Sequence, residues 1–315
     1  MIVSMTRRLL VFAGTVLAAS VVIFGLLSVL PGDPAEVALG LGASPDELAA
    51  QRAEMGLDRP LAAQYLQWLG GLVQGDFGTS AVTGTPVGAE LGSRLATTAV
   101  LIGSGMAVAV VVAVPLGVLA ATHQRRPLGA LLSGSSQVGI AIPGFLAGLL
   151  LITVFAVQLR WFPAGGWYRT GDGFGTLLGH LVLPALALGS VQGAVLARYV
   201  RSAVLDVMRE DWMRTARAKG LSPARALRRH GLRNAAVPVL TVGGVQLGVM
   251  LIGAVVIERV FVINGLGSML LERVATRDMI AVQGIVLVLV LAVLLINLVV
   301  DLVQTAVDPR LREAS

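Results

Sequence analysis

Six stretches of this chain, residues 9–30, 95–121, 128–157, 181–200, 235–257 and 280–307, are almost unbroken runs of apolar residues. Crossing about 30 Å of hydrocarbon as a helix takes about 20 such residues, and each run approaches or exceeds that length. Only 13% of the 315 residues are charged, where a soluble domain carries about a quarter. Mean hydropathy is +0.83. A soluble fold cannot bury this much apolar surface, so lipid must replace much of the core. The expected fold class is an all-α membrane protein with six spans.

Several function classes drop out at once. The pI of about 10.8 lacks the clustered basic face interleaved with stacking aromatics that nucleic-acid binding requires, so no nucleic-acid partner is expected. The chain has no cysteine, which excludes disulfides, thiolate metal sites and cysteine nucleophiles. Its three histidines, His123, His180 and His230, are far apart and show no metal-ligand spacing. No nucleophile elbow or triad context occurs. No catalytic or metal residues are assigned, and no enzyme activity is expected. A Walker motif needs a lysine after its second glycine, and the only lysine, Lys219, stands in Arg-Ala-Lys-Gly. The chain would bind no cofactor itself, and a nucleotide-driven machine built on it would need a separate ATPase to hold ATP and magnesium.

The basic residues explain themselves as topology. With a cytoplasmic N-terminus, sixteen of the 24 fall on the cytoplasmic side and eight outside, as the positive-inside rule demands. Both termini are then cytoplasmic, and the long basic loop 201–233 faces the cytosol. The first run, preceded by Arg7 and Arg8, exceeds the length of a signal-peptide core and reads as a retained helix; a cleaved signal is the alternative. The expected organisation is 1–30 as N-terminus and first span, 31–93 as an extracytoplasmic insertion, 94–308 as a five-helix core, and 309–315 as a cytoplasmic tail.

The insertion gathers Asp33, Glu36, Asp46, Glu47, Glu54, Asp58, Asp76 and Glu90. Ser44-Pro45-Asp46-Glu47 combines an N-cap, a first-turn proline and a capping-box acid, so a helix starts there, bracketed by Gly56 and Pro60. A second short helix carrying Tyr65, Leu66, Trp68, Leu69 and Leu72 lies against the membrane surface before Gly75-Asp76-Phe77-Gly78 breaks it.

Inside the spans, Pro115, Pro143, Pro184 and Pro238 read as kinks of continuous helices. The helix centres are nearly free of ionisable groups, unlike those of proton-coupled transporters. The uncharged polar residues Gln137, Gln192, Gln246 and Asn297 are candidates for a solute path, with helix-to-helix hydrogen bonding as the alternative.

The loop 201–233 has more structure than a topology signal needs. Residues 204–219 read as one amphipathic helix, with Val204, Met208, Trp212 and Ala216 on its apolar face and Glu210 paired to Arg214. Gly220 ends it. Ser222 and Pro223 then start a second short helix over 224–230, stopped by Gly231.

At these residues the chain resembles a known family. Arg214-Thr215-Ala216-Arg217-Ala218-Lys219-Gly220-Leu221-Ser222, followed by His230-Gly231-Leu232-Arg233-Asn234 and Pro238-Val239-Leu240, is similar to the cytoplasmic loop of binding-protein-dependent ABC importer permeases, most of all the dipeptide, oligopeptide and nickel branch. Pro31-Gly32-Asp33-Pro34, Gly56-Leu57-Asp58-Arg59-Pro60-Leu61, Gln64-Tyr65, Gly75-Asp76-Phe77-Gly78, Glu258-Arg259-Val260-Phe261, Arg277-Asp278 and Asp308-Pro309-Arg310 resemble the B-type subunit. Asn264-Gly265-Leu266-Gly267 departs from the family's usual Pro-Gly-Leu-Gly.

The resemblance implies a type I importer fold in the bacterial inner membrane, a homologous second permease sharing the path, two ATPase subunits, and an extracytoplasmic substrate-binding protein. The insertion 31–93 then either docks that binding protein or only caps the bundle. It also implies an ATPase-coupling set of Arg214, Ala216, Gly220, Ser222, Pro223, Ala224, Arg225, Leu227, Arg228 and Arg229. Peptides are the default cargo. A gradient-driven transporter or channel without an ATPase is the alternative.

Overall fold

The computed structural model describes residues 2–30, 32–40, 42–168, 171 and 173–307. Pro31, the Asp308-Pro309-Arg310 motif and the tail 309–315 lie outside them. Among the described residues the chain is helical, with no strand beyond an isolated bridge between Thr79 and Pro86. It divides into two compact units, residues 1–98 with 264–295 and residues 99–263 with 296–315.

The first unit opens with α1 (Ile2–Val29), α2 (Pro34–Leu39), α3 (Pro45–Glu54) and α4 (Leu61–Val73). The α3 start is the expected capping box. Ser44 Oγ accepts from the Glu47 N–H while the Glu47 carboxylate accepts from the Ser44 N–H at 2.8 Å, which satisfies two donors no helix can pair internally. Gly56, at φ +69°, follows its end. The α4 face packs on α1, where the Phe24 ring meets Tyr65 edge-on at 5.5 Å and Trp68 at 5.8 Å. The Ser20 and Tyr65 hydroxyls are hydrogen bonded at 2.9 Å, so a polar pair deep on α1 has its partner.

Next come α5 (Val87–Thr122), α6 (Pro127–Ala141), α7 (Gly144–Leu151) with a π-helical turn Ile152–Gln158, and α8 (Phe174–Arg209). The helix α5 begins at Val87, earlier than the expected core boundary at 94. In the second unit α8 is the central element, packed by α6, α7 and the later α11, with Leu183, Ala187, Leu188, Leu196, Ala197 and Val204 among its buried residues. It meets α5 through small residues. A Cβ on Gly189 would stand 2.4 Å from the Gly105 carbonyl oxygen, and one on Gly193 would stand 3.3 Å from Ala109 Cα. In lipid there is no hydrophobic drive between helices, so close backbone approach through small residues supplies the attraction.

The chain closes with α9 (Asp211–Ala218), α10 (Pro223–Ala226) continued by a π-helical turn Leu227–Gly231, α11 (Leu232–Val260), α12 (Leu266–Ala275) and α13 (Met279–Val307). In the first unit, Leu266 and Met269 of α12 bury with Val87, Leu91, Ala281 and Ile285, and Thr98 Oγ1 accepts from the Leu266 N–H at 2.9 Å.

Among the described residues five helical stretches are long and apolar enough to span a bilayer, and there is a sixth span if the bent pair 127–158 counts as one. That pair corrects one sequence expectation. Pro143 does not kink a continuous helix but ends one, with the two halves at 98°. Ile142 is extended at ψ 119° because the residue before proline is forced out of the helical region, and Pro143 becomes the cap of α7, its carbonyl accepting from Leu146 and Ala147. Pro115, Pro184 and Pro238 sit inside unbroken helices.

Candidate functional site

The basic segment 201–233 folds onto the end of the second unit, and its backbone departs from the expected pattern in two places. First, residues 204–219 are two helices. Glu210 is extended (φ −62°, ψ 144°), so α8 stops at Arg209 and the Glu210 carbonyl accepts from Met213 and Arg214 to start α9. The expected Glu210–Arg214 pair is replaced by Arg214 Nη1 at 3.4 Å from Asp211 Oδ1, an exposed contact of little energetic weight. The break turns α9 so that Met213, not Trp212, is buried, and Trp212 is exposed.

Second, Gly231 stops nothing. Its backbone is helical (φ −76°, ψ −46°), and residues 223–260 form one continuous helical stretch. Gly231 is required for space: a Cβ there would lie 2.6 Å from Leu227 Cδ1 and 3.2 Å from Val207 Cγ1. The extra residue per turn in Leu227–Gly231 resembles the π-bulges that recur at functional sites. The segment expected to be a separate short helix is therefore the first two turns of the helix that continues through α11.

Gly220 does act as the elbow. At φ +87° it occupies the left-handed region that side chains adopt only with strain. Its N–H donates to the Arg217 carbonyl and the Leu221 N–H to the Ala216 carbonyl, the paired bonds of a Schellman C-cap. Ser222 is the backbone cap of the next helix but its hydroxyl makes no capping bond. Pro223 at the first position removes an N–H that would otherwise want a partner.

An apolar cluster pins the segment down. Met213, Ala226 and Leu227 are buried with Ala121, Val200, Ala203, Val204 and Ala235, and Ala216 and Leu221 pack at its edge. The predicted coupling residues thus split. Leu227 is 3% exposed and faces inward, whereas Arg214, Gly220, Ser222, Pro223, Ala224, Arg225, Arg228 and Arg229 are exposed and Ala216 is half-buried. Met213 and Ala226 are anchor positions that the sequence pattern did not single out, and Gly231, read there as a stop, is a third. The only signal for Met213 was its chemistry, since its register depends on the Glu210 break.

Among its described residues the segment holds nine basic and three acidic side chains, and the exposed face carries Arg217, Lys219 and Arg233 besides the predicted arginines. Such a surface has no nucleophile, acid–base pair or metal cluster; among the described residues no group of ionisable side chains suited to a metal occurs. What it offers is a rigid, cationic knob fixed by apolar packing to three helices. The four candidate path residues differ in burial: Gln246 is buried in α11, Gln192 is half-buried in α8, and Gln137 and Asn297 are exposed. A cavity of about 480 Å³ in the second unit, with Val114, Leu196, Val204, Val239, Gly243 and Val299 in its apolar wall, includes none of them.

Comparison with known proteins places this geometry. Residues 113–313 match the family described as the binding-protein-dependent transport system inner membrane component, and residues 1–101 match the N-terminal membrane component of such systems. The glutathione transport system permease proteins GsiC of Salmonella typhimurium (strain LT2) and Escherichia coli (strain K12) are each 40% identical over 306 residues, 97% of this chain and 97% of theirs. A solved structure of the MetNI methionine ABC transporter in inward-facing conformations superposes with a TM-score of 0.57 at 19% identity, covering 70% of this chain and 97% of that one. It shares the fold. Membership sets aside the gradient-driven alternative, and it implies ATPase and substrate-binding partners. The chain belongs to the binding-protein-dependent transport system inner membrane components and is a multi-pass permease subunit of a peptide-type ABC importer, not an enzyme.

Proposed function

We propose that the chain forms half of a translocation path for peptides or similar small solutes, with a homologous second permease as the other half, two ATPase subunits against the segment 201–233, and an external binding protein delivering cargo. Both termini are cytoplasmic in this reading. The glutathione transport named for the GsiC relatives makes a tripeptide-sized solute the first cargo to test.

The observation that carries the proposal is the continuity of 223–260 as one helix, its exposed arginines at one end and Leu227 locked into the bundle. Closure of the ATPases on Arg225, Arg228 and Arg229 moves that end, and a continuous helix passes the displacement to α11 without a hinge. Two arrangements of the path then differ in affinity for the nucleotide-bound ATPases, which is what shifting a two-state equilibrium requires. The exposed amides Gln137 and Asn297 are polar groups available to a path completed by a second subunit.

The test is a pull-down of the tagged chain from detergent-solubilised native membranes, with and without Arg228→Ala. Recovery of a second permease and ATPases with the parent, and loss of the ATPases alone with the variant, is the expected result. A chain recovered without any ATPase, together with uptake that survives ATP depletion, would overturn the reading.

A further inference from the structure

Far from the basic segment, the first unit contains a buried polar junction that joins three pieces of chain. Asp278, which is fully buried, precedes α13. Its Oδ1 accepts from the Ala81 N–H at 3.2 Å and from the Ala281 N–H, in the first turn of α13, at 3.3 Å. Its Oδ2 accepts from the Ser80 hydroxyl at 2.5 Å and faces Arg273 Nη1 of α12 at 3.5 Å. Arg273 Nη1 also donates to Ser80 Oγ at 3.2 Å, while Nη2 lies 3.7 Å from Glu90 Oε1 of α5, whose Oε2 lies 3.6 Å from Arg94 Nη2. One carboxylate therefore binds the loop 79–86, α12 and the start of α13.

The loop is built to reach it. Thr79 and Pro86 close it with their bridge, and Ser80 Oγ also accepts from the Thr83 N–H at 3.0 Å. The preceding Gly75-Asp76-Phe77-Gly78 turn, held by the Gly78 N–H donating to Asp76 Oδ1 at 2.8 Å, seats Phe77 against α13. There a Cβ on Gly284 would lie 3.3 Å from the Phe77 carbonyl oxygen, and one on Gly78 would lie 2.7 Å from Ile280 Cγ2. Two buried opposite charges that share the Ser80 hydroxyl as a partner, with Arg273 Nε left without one, fix geometry more than they add net stability, and removal of one partner leaves the other uncompensated. Such an arrangement suits a joint that must not slip.

We infer that Asp278, with Ser80 and Arg273, is a positioning residue that makes the loop 79–86 and the start of α13 move as one body. A protein docking on the loop thereby displaces the last membrane helix. This rests on the proposed transport reading, with the 31–93 segment extracytoplasmic and, of its two alternatives, docking the binding protein. Neither Ser80 nor Arg273 was singled out by sequence, and Asp278 was known only as part of a motif.

The chain's lack of cysteine permits a direct test. Spin labels are placed on cysteines at the exposed positions Val82 and Glu272 in the complete complex. Their distance is measured by pulsed electron resonance in the parent, in Asp278→Asn and, as the milder variant should the first fail to fold, in Ser80→Ala. Binding-protein stimulation of ATP hydrolysis is read in parallel. The expected result is one narrow distance in the parent and a broadened one in the variants, with stimulation falling by about fivefold or more while basal hydrolysis is retained. An unbroadened distance with unchanged stimulation overturns the junction, as does an equal loss of basal and stimulated hydrolysis with the distance intact. If the parent shows no stimulation at all, the transport reading fails, and the distance measurement, which needs no partner, still decides the junction.

Discussion

Gly231 leaves the space that Leu227 fills, since a Cβ at Gly231 would stand 2.6 Å from Leu227 Cδ1. Two residues one turn apart thus fasten the basic segment to the bundle, and the fastening and the docking face are separable. Leu227→Ala removes buried contacts and should cost about 2–5 kcal/mol. Gly231→Ala overpacks the same spot and should cost about 1–3 kcal/mol. Both should lower the thermal midpoint of the detergent-purified chain, measured by size-exclusion survival after heating, and both should impair transport through that loss of fixation.

Arg228 is exposed beside the buried Leu227, so Arg228→Ala should change stability by no more than about 0.5 kcal/mol and leave the thermal midpoint essentially unmoved. If the docking is electrostatic, ATPase capture by the parent should also weaken as salt is raised and the Debye length falls from about 10 Å at 0.1 M to about 3 Å at 1 M. Titration of co-purified ATPase against salt measures this, and capture insensitive to both the substitution and salt would place the contact elsewhere.

Glu47 accepts hydrogen bonds from the Ser44 backbone N–H and hydroxyl, which hold its carboxyl below the ordinary value of 4.5. A carboxylate depressed in the folded state stabilises above its unfolded pKa, and that contribution is lost as pH falls through the folded value. Amide exchange at Leu48, whose N–H donates to the Ser44 carbonyl at 3.0 Å, should therefore speed up relative to the chain average in acid. In Glu47→Gln, whose amide oxygen can still accept, that extra acid sensitivity should vanish.

The α5–α8 contact supplies a packing test with an internal control. A side chain on Gly189 meets the Gly105 carbonyl oxygen, which is backbone and cannot rotate away, whereas a Cβ on Gly25 meets nothing within 4 Å. Gly189→Ala should destabilise by about 1–3 kcal/mol, and Gly25→Ala should be neutral or slightly stabilising through helix propensity. Equal yields and midpoints for the two variants would refute the close approach.

What could be read from the sequence alone was what short-range physics decides. The apolar runs require a membrane because no protein core of this size can cover them. The Ser44-Pro45-Glu47 start and the Gly220 elbow follow from which side chains and φ angles can satisfy a helix end, a matter settled within a few residues. The family motifs were legible for the same reason, as strings, without showing what each does.

Tertiary structure decided whatever depends on residues far apart in the chain. Nothing local in Arg209-Glu210-Asp211 forbids a continuous helix; the break there goes with burying Met213 beside Val200 and Ala235. Gly231 is a stop signal by propensity and a packing space in fact, because Leu227 and Val207 occupy the volume a Cβ would need. Pro143 ends a helix while Pro184 does not, though both carry the same missing N–H; the two halves at Pro143 lie at 98° and each packs on α8. The Ser80–Asp278 bond joins residues 198 positions apart, and only a fold that brings them together makes one carboxylate the meeting point of three segments.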